Sequence, residues 1–442
     1  MNAWPWGKDD VAARQPVNVL HILEPSLEGQ DSILGVLACV QNLAPRFRHL
    51  AILLGTRQDE LTAQSLGLTL TDRVTTCGVP ASLRTALAEW TPGGTSLREA
   101  RATARIIRTR QAQVGGIDVV LCWSAARSRQ VAQVVSEVCG PEVAVRTMLT
   151  SGPSAVSRET LWTETGTGAG RVRVTCFDEQ IASAWRGAGA PLIDVLTPPV
   201  VSLEGGPAAR ARVRRELDIA NDELVVGLLC DPPTFGDTRL FAWIMGVLAI
   251  SGRTCVGIVP DGAGSMRRAA RYLRLHRRHW DIMPFCGPTA LAMSGADVVI
   301  WDTDPARAGT HVSQPASGQL SALSVGAMGI PIVTIASDLT RRTMTGAPGW
   351  CRVGNASMPS LGAGVLPLAD DAMLREQVGK AIAQGTNATE RNRSFALGLE
   401  TLLRGDTMVD TRTRGGVWAR PDELAQITRD EFAEASHEGS TR

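Results

Sequence analysis

The stretch with the clearest chemical potential runs from Ser317 to Thr334 and reads SGQLSALSVGAMGIPIVT. Ser317 and Gly318 are suitable residues to begin a helix, and Gly329 and Pro331 to end one. The apolar positions expected on one face of that helix are Leu320, Leu323 and Ala327. The residues after Pro331 are typical of a buried strand. A helix that begins over a parallel sheet presents backbone N–H groups and its positive dipole end, so this stretch predicts an anion site, typically for a phosphate.

Two carboxylates, Asp302 and Asp304, follow the strand predicted just before this stretch, at residues 296–301. The carboxyl ends of parallel strands form the edge at which such sheets bind ligands. Asp302 is therefore a candidate ligand-binding residue. The alternative is that both carboxylates belong to a solvated loop.

A stripe of arginines at helical spacing is the other concentration of charge, and it consists of Arg267, Arg271, Arg274 and Arg278. Such a stripe suits contact with phosphate, with the surface of an anionic membrane or with an acidic partner protein. Its alternative is a solvated helix face.

Strands and helices alternate along the chain, which predicts a doubly wound parallel sheet in each half. The predicted strands cover 17–23, 50–54, 73–78, 117–122, 143–148, 172–176, 193–196, 223–229, 254–259, 281–285, 296–301 and 332–334. The predicted helices between and after them include 32–43, 97–114, 125–138, 179–187, 235–250, 264–278, 371–384, 390–403 and 421–435. The Pro- and Gly-rich stretch 197–208 predicts the domain boundary, with domains at 1–200 and 201–415 and a C-terminal helix and frayed tail at 416–442.

Length and composition fit two soluble domains, because 442 residues exceed what one hydrophobic core usually supports. A net charge of +1 creates no global field that would favour nucleic acid. Nine cysteines without a C-x-x-C pair argue against a zinc site or a disulfide framework and predict a reducing, cytoplasmic location. No uncharged apolar run is long enough to predict a transmembrane segment.

The order of small, apolar and turn residues in 317–334 resembles the donor-binding segment of the group 1 (family 4) glycosyltransferases of GT-B fold, chiefly over 327–333. Three further runs are similar to motifs of that family in the same order, at 173–191, 256–273 and 294–301. A dehydrogenase, which also uses doubly wound sheets, is a weaker alternative because no strand is followed by G-x-G-x-x-G.

The resemblance implies a GT-B-like α/β fold of two Rossmann-like domains that face each other across a cleft, with the last helix crossing back to the first domain. It implies retaining transfer of a sugar from a nucleotide-sugar donor to an unknown acceptor, with no cofactor and no required metal. From the residues and the resemblance together, the positions predicted to face the donor are Gly29, Asp302, Ser317, Gly318, Gln319, Leu320 and Ser324. The alternative for Gly29 is a plain turn between strand and helix. On the acceptor side are Trp123 and Ser124, where the Trp123 ring could stack on a sugar or pack in the core.

Several charged donor contacts of the family are replaced in this sequence. The replacements are Ala316 and Ser324 for two glutamates, Asp231 and Gly236 for a clamping arginine and lysine, and Glu28 for a loop glycine. Arg239 lies nearby and is either a substitute for the clamp or a surface residue. Because each lost contact to developing charge costs roughly 3–4 kcal/mol of barrier, the alternative is a catalytically silent relative. Such a relative would bind a nucleotide-sugar weakly or act as the partner of an active enzyme.

Overall fold

Two parallel β-sheets organise the part of the chain that the computed structural model describes. The described residues are 17–24, 31–43, 47–66, 68–75, 94–123, 128–149, 173–187, 193–201, 206–230, 238–260, 282–285, 289–301, 318–335, 351–353 and 358–407. The chain divides into two compact units, Met1–Thr407 and Met408–Arg442, and all described residues belong to the first unit. The arginine stripe and the helix predicted at 421–435 lie outside the described residues.

The first sheet contains the strands β1 (Val17–Leu23), β2 (Phe47–Gly55), β3 (Asp72–Thr75), β4 (Val119–Cys122), β5 (Ala144–Leu149), β6 (Arg173–Cys176) and β7 (Ile193–Val195). Their order is β3-β2-β1-β4-β5-β6-β7, and every neighbouring pair is parallel. In the pairing of β1 with β2, Val17 lies opposite Phe47 and Leu23 opposite Leu53. The doubly wound sheet predicted for the first half is confirmed.

The second sheet contains β8 (Leu224–Leu229), β9 (Cys255–Pro260), β10 (Ile282–Phe285), β11 (Val298–Trp301), β12 (Ile332–Ile335) and β13 (Cys351–Val353). Their order is β10-β9-β8-β11-β12-β13, again with parallel neighbours throughout. The chain therefore forms two separate sheets, as the restart of the sequence pattern predicts.

The helices that the structure describes are α1 (Asp31–Leu43), α2 (Arg57–Ser65), α3 (Gly94–Val114), α4 (Ser128–Cys139), α5 (Glu179–Gly187), α6 (Gly206–Glu216), α7 (Thr238–Ile250), α8 (Thr289–Ser294), α9 (Gln319–Ala327), α10 (Met358–Asp370), α11 (Ala372–Thr386) and α12 (Ala388–Thr407). The sequence analysis missed α2, α6, α8, α10 and the short strand β13. Helix α10 shows why, because it carries Pro367 and two glycines and would be read as a loop from local propensity.

Helix α12 returns from the second sheet to cover the first. Its residues Phe395, Leu399, Leu402 and Leu403 belong to the hydrophobic cluster of the first sheet. The side chain of Asn392 accepts a hydrogen bond from the Val200 N–H at 2.7 Å and donates one to the Val200 carbonyl at 3.1 Å. The sequence analysis placed this helix in the second domain and gave the crossing to 421–435. In the described structure α12 makes a return crossing, because its apolar face completes the core of the first sheet.

A buried arginine fixes the entry to the two central strands of the second sheet. The guanidinium of Arg214, in α6, is 2% exposed and donates to Asp297 Oδ2 at 2.8 Å. The same carboxylate oxygen accepts from the Val225 N–H at 2.7 Å. Arg214 also donates to the carbonyls of Gly295 at 3.0 Å and Ala220 at 2.9 Å. One side chain therefore ties the start of β8 to the residue that precedes β11.

Replacement of Arg214 with methionine should lower the free energy of unfolding by about 1–3 kcal/mol, because the carbonyls of Gly295 and Ala220 lose their buried donor while Asp297 keeps its pair with Arg210. Urea denaturation measures the change. The matched control is Arg212→Met on the same helix, whose half-exposed pair with Glu216 is worth at most about 0.5 kcal/mol. Equal losses in the two variants would contradict the assignment of Arg214 as a buried tie.

Candidate functional site

Each sheet has one position at which the order of the strands reverses. In the first sheet it lies between β1 and β4, and in the second between β8 and β11. In doubly wound sheets the crossover connections leave such a position in opposite directions, which opens a crevice at the carboxyl ends of the two strands. These two edges are the places at which the fold favours ligand binding.

The start of helix α9 lies over the reversal point of the second sheet. Gly318, the residue that precedes α9, has φ +76° and ψ 2°. A Cβ atom on Gly318 would lie 3.0 Å from Trp301 Nε1 and 3.8 Å from Leu229 Cδ2. Trp301 ends β11 and Leu229 ends β8. Glycine therefore meets two local demands, a left-handed backbone and a close approach to the indole.

The amino end of α9 has the features of an anion site. Gly318 has no side chain with which to cap the helix. The first intrahelical hydrogen bond runs from the Ala322 N–H to the Gly318 carbonyl at 2.8 Å. The N–H groups ahead of Ala322 therefore point out of the helix end, together with the positive end of the dipole.

Helix α9 is buried on every side from Gln319 to Gly326, so burial extends beyond the face on which the sequence places Leu320 and Leu323. Leu320 belongs to the hydrophobic cluster of the first sheet, whereas Ala322 and Val325 belong to that of the second. The helix thus packs between the two cores. Its predicted end is confirmed, since α9 stops at Ala327 and Gly329 has φ +73°.

Comparison with solved structures identifies this architecture. A glycosyltransferase from Rickettsia africae superposes with a TM-score of 0.59 at 9% identity, over 90% of this chain and 100% of that one. Anabaena HepE, solved with UDP and glucose, gives 0.59 at 12% identity, over 87% and 99% of the two chains. Sucrose-phosphate synthase from Thermosynechococcus elongatus gives 0.58 at 12% identity, over 88% and 98%. The fold is GT-B.

The likeness to these GT-B structures lies in the fold and not in the sequence. No family model matches the sequence, and no curated protein matches it at significant similarity. The two parallel-sheet domains of GT-B type that the resemblance implied are confirmed.

Gln319 occupies the first position of α9. Its side chain is 4% exposed. A carboxamide at a helix N-terminus can donate to a bound anion alongside the backbone N–H groups.

Ser324 lies one turn further along α9, and its side chain is 1% exposed. The hydroxyl donates to the Leu320 carbonyl at 2.9 Å. With its proton used in this way, the oxygen can only accept a further hydrogen bond. The ribose contact expected from the resemblance would therefore have to be donated by the ribose, and it stays a prediction.

The reversal point of the first sheet is bordered by Trp123 and Glu24. Trp123 follows β4, is 1% exposed and stacks on Phe177 with ring centroids 6.2 Å apart and planes 16° apart. Of the two alternatives for Trp123, packing in the core is the one this structure has. Glu24, directly after β1, is a carboxylate only 1% exposed. The sequence analysis missed it, although a carboxylate at the end of an apolar strand was a usable signal.

The remaining candidates lie outside the described residues. They are Gly29, Ser124, Asp302 and Ser317 of the proposed sites, together with Glu28, Asp231, Gly236, Asp304 and Ala316. Within the described ranges, no group of three or more His, Cys, Asp or Glu side chains is placed to hold a metal ion. No described helix is both long and apolar enough to cross a bilayer.

Substitution of Gly318 by alanine should destabilise the protein by about 1–2 kcal/mol for the left-handed backbone and by about 1 kcal/mol more for the contact with Trp301. Chemical denaturation measures the sum. Gly252→Ala is the matched control, because Gly252 has φ +78° and no atom lies within 4 Å of the place a Cβ would take there. A loss no larger at Gly318 than at Gly252 would show that the indole contact does not constrain α9.

Proposed function

We propose that this chain binds a nucleotide-sugar and transfers its sugar to an acceptor, with the donor diphosphate on the amino end of α9. The observation that supports this most directly is the position of Gly318 over the ends of β8 and β11. A diphosphate there would meet the helix N–H groups and the positive end of the dipole, the combination that binds phosphate at helix ends.

Gln319 adds a donor at the same place. Its buried carboxamide is neutral, so it can donate to a phosphate oxygen without the desolvation penalty of a charged side chain. The carboxamide therefore supports binding of a diphosphate in a chain that lacks the family's arginine and lysine at the positions of Asp231 and Gly236.

The nucleotide class is suggested by the solved neighbours. HepE was crystallised with UDP, with UDP and glucose, and with UDP-glucose. A UDP-GlcNAc 2-epimerase from Neisseria meningitidis was solved with UDP-GlcNAc, and MnaA from S. aureus was solved with UDP. These two structures give TM-scores of 0.51 and 0.52 at 10% and 9% identity. Because HepE and these two proteins were solved with uridine nucleotides, a uridine nucleotide is the first ligand to test.

In the proposed reaction the sugar leaves the diphosphate with retention of configuration at its anomeric carbon. Charge that develops on the leaving diphosphate would be stabilised by the end of α9, without a metal and without a cofactor. We place the donor in residues 201–415 and the acceptor at the reversal point of the first sheet, in 1–200. The cytoplasm is the compartment we propose, in keeping with six free cysteines in the described ranges.

Ser324 favours a second candidate, a catalytically silent binder of nucleotide-sugars or a partner subunit. A hydroxyl that already donates to Leu320 cannot replace the charge of the family's glutamate. Binding and turnover therefore have to be measured separately.

Uridine diphosphate should raise the melting temperature of the purified protein, because a ligand at about 100 times its Kd adds about 2.7 kcal/mol to the free energy of unfolding. The Gln319→Glu variant should weaken that binding by at least about tenfold, since it places a negative charge against the diphosphate. Isothermal titration of both proteins gives the two Kd values. Gln384→Glu, on the exposed side of α11, is the matched control and should bind as the wild type does.

Equal weakening of UDP binding in Gln319→Glu and Gln384→Glu would contradict the placement of the diphosphate at α9. If UDP, GDP and ADP all leave the melting temperature unchanged, the donor-binding proposal fails. Release of free sugar from a bound nucleotide-sugar supports the transferase, whereas binding without release supports the silent relative.

A further inference from the structure

Three aromatic side chains on one face of the first sheet form a hydrogen-bonded chain. Trp123 Nε1 donates to His21 Nδ1 at 3.2 Å. His21 Nε2 lies 3.0 Å from His49 Nδ1, within hydrogen-bond distance. His21 is 0% exposed and sits in β1, whereas His49 is partly buried in β2. Neither contact is needed for the proposed donor site.

The indole fixes the protonation state of the whole chain. An indole N–H can only donate, so Nδ1 of His21 must accept and its proton must lie on Nε2. That proton then points at Nδ1 of His49, which must accept in turn. Both imidazoles are neutral in this arrangement, and each has a single tautomer.

An added proton is incompatible with both hydrogen bonds at once. On His21 it would occupy Nδ1 and face the indole N–H, and on His49 it would occupy Nδ1 and face the Nε2–H of His21. In either case one donor–acceptor contact becomes donor–donor. Burial lowers the pKa of His21 well below its ordinary value, and the nearby His49 lowers it further.

Burial and His49 both act on the pKa of His21 in the same direction. The charged or titratable side chains on the described elements of this part of the sheet include Glu24, Cys39, Arg48, Glu60, Cys122, Asp178, Glu400 and Arg404. Glu60 pairs with Arg73 at 3.0 Å, and Glu400 pairs with Arg404 at 2.5 Å. Arg48 is exposed and alternates with His49 to the opposite face of β2.

The indole also connects the histidines to helix α12. Trp123 stacks on Phe177, and Phe177 contacts Phe395 of α12 with ring centroids 6.2 Å apart. Helix α12 follows α11 directly, through Asn387 in a left-handed conformation. Helix α12 follows the second sheet in the sequence and packs on the core of the first. Its docking therefore connects the two sheets.

We propose that Trp123, His21 and His49 form a proton-sensitive lock, which holds α12 on the first sheet while both histidines are neutral and releases it when either takes up a proton. Acid thereby loosens the connection between the two halves. The lock does not depend on which ligand the protein binds.

Amide hydrogen exchange at pH 5.5, 6.5 and 7.5 tests the lock in the full chain, with labelling times scaled for the intrinsic exchange rate. The folded His21 holds its proton less tightly than an ordinary histidine, so opening of α12 takes up a proton and becomes more favourable as pH falls below about 6.5. The equilibrium constant for opening of peptides within 388–403 should rise by up to about tenfold for each unit by which the pH falls. Peptides of α7 serve as the internal reference and should show no such trend.

The matched variant is His49→Asn, whose Oδ1 can take the place of Nδ1 as an acceptor and cannot be protonated. It should keep the protection of α12 at pH 7.5 and reduce its loss at pH 5.5. His437→Asn makes the same substitution in the C-terminal tail and should follow the wild type. Trp123→Phe removes the indole donor, so the folded His21 accepts a proton more readily and its pKa lies nearer its ordinary value. Opening of α12 then takes up less of a proton, and the loss of protection between pH 7.5 and pH 5.5 should be smaller than in the wild type.

If amide exchange of the peptides within 388–403 does not change with pH in the wild type, the lock is overturned without any variant. A pH dependence steeper in His49→Asn than in the wild type would overturn it as well, because the variant keeps only the protonation of His21. Should His49→Asn fail to fold, Trp123→Phe decides, because a pH dependence steeper than that of the wild type contradicts the proposed tautomers.

Discussion

The contact between the backbone of Gly318 and the indole of Trp301 sets the position of the amino end of α9. Trp301 is the last residue of β11 and is completely buried, so the helix begins beside an indole ring that is packed in the core. A Cβ atom at residue 318 would lie 3.0 Å from Trp301 Nε1, so the indole or the helix would have to move by a few tenths of an ångström. The edge of the second sheet and the end of the helix dipole coincide because this one position has no Cβ.

Burial of α9 on all sides follows from the same placement. Its first turn contacts the cluster of the first sheet through Leu320, and the rest lies in the core of the second. A helix in this position has no solvated face on which charged residues could be accommodated at low energetic cost. The neutral side chains of Gln319 and Ser324 are consistent with that environment, whereas the carboxylate of the related family would need a ligand or a counter-charge beside it.

The sequence predicted the elements that depend on local pattern. Strand β1 and helix α5 have the predicted bounds. An apolar run in the strand and an amphipathic repeat in the helix indicate directly which residues are buried. The contacts between distant residues could not be read in this way. His21 meets His49 and Trp123, which are 28 and 102 residues away, and nothing in the local sequence of β1 indicates either partner. Of the candidate site, the helix start was predictable, and Glu24 could have been found from its place after an apolar strand. The histidine pair emerged only from the topology.

The same limit applies to the role of α12. Its amphipathic repeat predicts a helix but does not say which sheet the apolar face covers. Asn392 settles the question by pairing with both backbone groups of Val200, and the aromatic contacts of Phe395 extend it. The polypeptide thus links its two halves by a helix that comes after both sheets.

This late helix affects how the protein is made on the ribosome. The face of the first sheet that α12 covers stays exposed to water until residues 388–407 have left the exit tunnel, although its strands end at Val195. At about 5–20 residues per second, that delay lasts on the order of ten seconds or more. A nascent chain with Leu37, Leu121 and Phe177 exposed for so long is a natural client for chaperones that bind apolar surfaces.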